Sequence, residues 1–112
     1  MAPADAPLGR AGVRTLATVE AVAARLAALP GLLTAEELGS LAALEWVAGH
    51  RSFGPVSGFD TMERPNDAII RAEERAARRK STHEDRDGSV RRFAAGVASA
   101  LAWVLGETDE QP

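Results

Sequence analysis

The residues Ala43-Leu44-Glu45-Trp46-Val47-Ala48-Gly49 return later as Ala100-Leu101-Ala102-Trp103-Val104-Leu105-Gly106. Ala, Leu, Trp, Val and Gly recur in register, and both tryptophans of the chain fall inside the match. The same offset of 57 residues pairs Gly31 with Gly88, Gly39 with Gly96 and Pro55 with Pro112. Each copy reads as an apolar helix closed by glycine, the residue that most readily takes the left-handed conformation just past a helix end. A fixed offset of this kind points to a duplicated unit. Upstream the match thins to Ala11 with Ala68 and Arg14 with Arg71.

Working outward, the apolar spacing predicts four helices and no sheet. Leu16, Val19, Val22, Leu26 and Leu29 draw one stripe over 13–29, stopped by Pro30-Gly31. Thr34 and Glu37 form the signature of a capping box opening a helix over 35–48, with Leu38, Leu41, Leu44 and Val47 as its stripe and Trp46 to one side. Residues 66–80 are rich in helix formers but hold few large apolar groups, so this helix reads as peripheral. Val90, Phe93, Val97, Leu101 and Val104 draw the stripe of a helix over 89–105. The stretch 49–65, GHRSFGPVSGFDTMERP, is a long irregular connection that Phe53, Val56 and Phe59 are expected to pin to the core. The predicted organisation is therefore a flexible arm over 1–12, one helical domain over 13–106 and a short acidic tail over 107–112, with the domain an all-α, four-helix, duplicated helix hairpin.

The repeat carries a packing expectation. Gly39 and Ala43 lie one turn apart, as do Gly96 and Ala100. Small residues at that spacing let two helix backbones approach closely. The second and fourth helices are thus expected to cross at Gly39 and Gly96, within one chain or between two copies, with Trp46 and Trp103 buried beside the crossing. Each indole N–H would need a partner there.

The ending Trp-Val-x-Gly followed after a short gap by proline occurs twice: Trp46-Val47-Ala48-Gly49 with Pro55, and Trp103-Val104-Leu105-Gly106 with Pro112. This pattern resembles small uncharacterised all-helical proteins of actinobacteria and their phages. The resemblance covers the two helix ends and implies a helical fold without implying an activity.

Composition narrows the function classes. The 112 residues carry a net charge of −3, against the basic balance of a generic phosphate-backbone binder. There is no cysteine, hence no thiolate metal site and no thiol nucleophile. The proline-bearing start lacks the apolar segment of a secretory signal, and no apolar run is long enough for a bilayer, which predicts a cytoplasmic protein without membrane contact.

Candidate chemistry is sparse. His50 stands alone in the long connection, and His83-Glu84-Asp85 are consecutive, a spacing at which three side chains rarely converge on one metal ion. Ser52, Ser57 and Ser81 lack the G-x-S-x-G context of an activated serine, and no phosphate-loop lysine exists. A classical helix-turn-helix is disfavoured because a long Gly/Pro connection separates the second and third helices. Arg71, Arg75, Arg78 and Arg79 share one side of the third helix, with Arg91 and Arg92 nearby, and a basic stripe can track phosphates. Glu73, Glu74, Glu84, Asp85 and Asp87 interleave with it, which favours a salt-bridged, solvated face.

The sequence thus predicts a non-enzymatic, self-associating protein-interaction module without cofactor or metal. Gly39, Ala43, Trp46, Gly96, Ala100 and Trp103 are its interaction and packing residues. The alternative is an accessory regulator touching nucleic acid through Arg71, Arg75, Arg78, Arg79, Arg91 and Arg92.

Overall fold

The computed structural model describes residues 9–83 and 88–112. It holds four helices: α1 (Leu16–Ala27), α2 (Ala35–Val47), α3 (Asp67–Thr82) and α4 (Gly88–Val104). Ahead of them lie two short strands, β1 (Arg10–Ala11) and β2 (Arg14–Thr15), paired antiparallel with Arg10 opposite Thr15. The architecture is all-α in its mass, with a small ribbon that the periodicity did not foresee. No helix among the described residues is long and apolar enough to cross a membrane.

The ribbon moves the start of α1. Thr15 is extended and its hydroxyl accepts from the Thr18 N–H, so Thr15 is the N-cap and α1 begins at Leu16 rather than near residue 13. Gly12 turns the ribbon at φ 62°, and a Cβ there would sit 2.3 Å from the Val104 carbonyl oxygen. The Val13 N–H donates to that same oxygen at 3.0 Å. Residues 10–12 of the expected arm are therefore docked on the end of α4, while residues 1–8 lie outside the described residues.

The centre of the fold is the crossing of α2 and α4, flanked by α1 against α2 and α3 against α4. A Cβ on Gly39 would lie 2.0 Å from the Phe93 carbonyl oxygen, and one on Gly96 would lie 2.0 Å from the Glu36 carbonyl oxygen. The two contacts are equivalent under the 57-residue repeat, because Phe93 precedes Gly96 as Glu36 precedes Gly39. In each case a glycine Cα hydrogen takes the place of Cβ and points at a carbonyl, the geometry of a reciprocal Cα–H···O pair. The Ser40 hydroxyl, buried, donates to the Gly96 carbonyl at 3.1 Å and fixes the register. The crossing forms within one chain.

The helix ends repeat as well. The Gly49 N–H donates to Trp46 at 3.0 Å and the His50 N–H to Glu45 at 2.8 Å; the Gly106 N–H donates to Trp103 at 3.1 Å and the Glu107 N–H to Ala102 at 2.9 Å. Both glycines have positive φ, 90° and 79°, so the two ends are the same Schellman cap. Other matches at this offset do not share structure: Gly31 is a positive-φ turn residue whereas Gly88 opens α4, and Pro55 lies in the loop after α2 whereas Pro112 lies in the tail.

The core is built from Val19, Val22 and Leu26 of α1, Leu44, Trp46 and Val47 of α2, Ile70 of α3, and Val97, Leu101, Trp103 and Val104 of α4. The predicted leucine and valine stripes are partly displaced. Leu38 and Val90 are exposed, while Gly39, Ser40, Ala42 and Ala43 are buried. Closest approach rather than greatest apolar content decides which face of α2 turns inward. The tail is held rather than free in solvent. Arg14 donates to the Trp103 carbonyl at 2.8 Å and the Thr108 carbonyl at 2.9 Å, and Arg25 donates to Gln111 Oε1 at 3.1 Å and the Pro112 carbonyl at 3.0 Å.

The tryptophans differ in one respect. Trp103 lies under the Arg14 guanidinium, 4.8 Å from its ring centroid, a cation–π arrangement. The Trp46 indole N–H is buried with no protein partner, contrary to the expectation that both would find one.

Candidate functional site

Two surfaces stand out once the crossing is closed. The first is the connection between α2 and α3. Its strands fold back on each other: Phe53 pairs antiparallel with Asp60, the Gly54 N–H donates to Phe59 at 2.9 Å and the Thr61 N–H to Ser52 at 2.9 Å. The tip closes on Glu73 of α3. One Glu73 oxygen accepts the N–H groups of Val56 at 2.6 Å and Ser57 at 2.8 Å, and the other accepts the Ser57 hydroxyl at 2.5 Å. A Cβ on Gly54 would lie 2.6 Å from that carboxylate, so only glycine lets it seat. The Ser57 oxygen also accepts the Phe59 N–H at 3.1 Å. Ser57 therefore closes the turn.

This clamp holds the connection where the sequence reading placed aromatic pins. Val56 does pack against the core. Phe53 and Phe59 do not: they are 58% and 61% exposed. The pairing puts Phe53 on one face of the loop ribbon and Phe59 on the other, since neighbours along a strand alternate sides. Met62 follows in the left-handed region, φ 61°, also exposed, with its N–H held by Asp60 Oδ1 at 3.0 Å.

The clamp makes a direct prediction. Glu73→Ala removes the acceptor for two backbone N–H groups and a hydroxyl, at a cost of about 1–3 kcal/mol for groups left without partners. Hydrogen exchange at the Val56 and Ser57 amides is expected to accelerate, while amides of the α2–α4 crossing keep their protection. Protected Val56 and Ser57 amides in the variant would refute the clamp.

The second surface is the exposed side of α3. Arg75, Arg78, Arg79 and Thr82 line a shallow concavity of about 280 Å³. Arg78 pairs with Glu74, which by hydrogen bond and by charge pushes the guanidinium further up from its already high range. Glu107, fixed by the α4 cap, reaches Arg71 at 3.6 Å and Arg78 at 3.5 Å. Arg91 and Arg92 belong to the first turns of α4 and do not line the concavity.

Gly39, Ala43, Trp46, Gly96, Ala100 and Trp103 are all buried at or beside the α2–α4 crossing, so their role is packing within the chain. His50 pairs with Glu20 at 2.9 Å on the surface. No group of three potential metal ligands occurs among the described residues; Glu84, Asp85 and Asp87 lie outside them. A cleft of about 630 Å³ runs between α1, α2, α4 and the tail and is lined by Arg25, Glu36, Glu110 and Gln111 among others, charges of both signs without a convergent set. Comparison with known proteins adds no relative: no family model matches the chain, and no curated protein and no solved structure is similar to it.

Proposed function

We propose that this chain is a cytoplasmic, non-enzymatic protein-interaction module that associates with a second copy of itself through the loop ribbon bearing Phe53, Phe59 and Met62. The observation that carries the reading is the exposure of two of the three phenylalanines on a backbone that Glu73, Asp60 and the ribbon pairing hold in place. Burying one such ring contributes about 1.5–3 kcal/mol. A loop already ordered loses little further entropy when it binds, so more of that gain is retained. Arg51, Asp60, Glu63 and Arg64 supply both charge signs around the ribbon, so opposite charges can meet across a self-complementary two-fold contact. The contact is therefore assigned to the ribbon and not to the glycine face, which the chain closes upon itself.

Sedimentation velocity from low micromolar to submillimolar concentration tests this. The expected result is a mass that rises toward the dimer, with Phe53→Ser/Phe59→Ser monomeric throughout and melting as the parent does. A parent chain monomeric over the whole range, or a dimer that survives both substitutions, would overturn it.

A further inference from the structure

Of the acids that interleave with the arginines in sequence, Glu73 and Glu74 do not reach the surface, and Glu84, Asp85 and Asp87 lie outside the described residues. Glu73 and Glu74 are 4% and 2% exposed. From Arg71 to Thr82, every exposed charged side chain of α3 is a cation: Arg71, Arg75, Arg78, Arg79 and Lys80. Glu107 serves Arg71 and Arg78. Arg75 and Arg79 meet no acid among the described residues, although they stand one turn apart, where like charges repel. Arg79 and Lys80 complement the negative end of α3. Arg75 lies two turns before that end, beyond the reach of the same argument.

The adjoining helix adds to the field. Guanidinium nitrogens of Arg92 and Arg91 lie 3.2 and 3.6 Å from the position a Cβ on Gly88 would take, at the positive end of α4. The first turn of α4 contains no acidic residue. Helices α3 and α4 pack on each other, so these cations stand beside those of α3.

We infer that the exposed cationic face of α3, with Arg75 and Arg79 at its centre, docks the phosphate backbone of a nucleic acid. The cations form a row rising about 6 Å per four residues along the helix, suited to a line of phosphates, and each guanidinium presents a fork that matches phosphate oxygens. Contacts to phosphates carry no sequence information, so the binding is expected to be sequence-independent. The chain's net charge of −3 keeps it weak and confines it to this face.

The test is fluorescence anisotropy of the full chain with a labelled mixed-sequence DNA duplex, titrated across salt. The expected plot of log K against log salt has a slope of about −3, as for three to four neutralised phosphates. Arg75→Glu/Arg79→Glu is expected to weaken binding at low salt by at least tenfold and to flatten the slope by about 2. Arg25→Gln, on α1 beside the tail, is expected to change neither. The substituted arginines are exposed, and unchanged thermal melting confirms that folding is intact. No binding at low salt, or binding indifferent to Arg75→Glu/Arg79→Glu, would overturn the assignment. So would polyglutamate displacing the duplex at equal charge concentration, since it would make the face a docking site for acidic protein segments.

Discussion

Gly39→Ala and Gly96→Ala are each expected to destabilise the protein, although alanine is the better helix former. At an exposed helical site the change gains about 1 kcal/mol. Here the new methyl would stand 2.0 Å from a backbone carbonyl oxygen of the opposing helix, Phe93 in one case and Glu36 in the other. Neither oxygen can move without moving its helix. Overpacking of this kind costs about 1–3 kcal/mol and occasionally more, and contact with backbone belongs at the upper end. The net loss is expected to be about 2–3 kcal/mol, a fall in Tm of about 10–20 °C for a domain of this size. Because both glycines serve one crossing, the double variant is expected to lose less than the two single losses together. Thermal melts that rise in both single variants would show that the helices do not meet there.

Trp103→Ala and Trp46→Ala carry the largest losses, about 3–5 kcal/mol each, enough to leave a domain of ordinary stability barely folded. The informative comparison is with phenylalanine. Trp46→Phe removes an indole N–H that is buried without a protein partner, so relief of that penalty offsets part of the lost packing. Trp103→Phe removes the better cation–π surface from beneath Arg14 and gains no such relief. Denaturant unfolding is expected to rank Trp103→Phe as the more damaging of the two. Equal losses would mean that the Trp46 N–H finds a partner in solution.

Much of this architecture was legible in the residues because the decisive contacts are made by small side chains whose spacing is visible. Gly39, Ala43, Gly96 and Ala100 announce a close crossing, and Thr34 with Glu37 announces the start of α2, whose capping box is present. The stripes misled where they assumed that the most apolar face turns inward. Leu38 and Val90 sit outside because the backbones meet at the glycines. The ribbon before α1 is too short for any periodicity to show; Gly12 is its one trace. The Glu73 clamp is a contact across 16–17 residues between a loop and a helix. Its available signal was position: Glu73 and Glu74 lie between Ile70 and Ala77 on the inward side of α3. Read that way, the salt-bridged face that their sequence neighbourhood suggests holds for Arg71 and Arg78, which pair with Glu107 and Glu74, and not for Arg75 and Arg79, which meet no acid among the described residues.

The reciprocal crossing also bears on how the chain stays single at its centre. Two surfaces related by a near two-fold operation do not distinguish their own partner from the same surface on another copy. What favours the internal pairing is tethering: residues 48–66 join the two halves and set an effective local concentration on the order of millimolar. Below that concentration the halves of one chain find each other first. The loop ribbon would therefore work twice, as the element proposed to meet a second copy and as the leash that keeps α2 and α4 from exchanging with it.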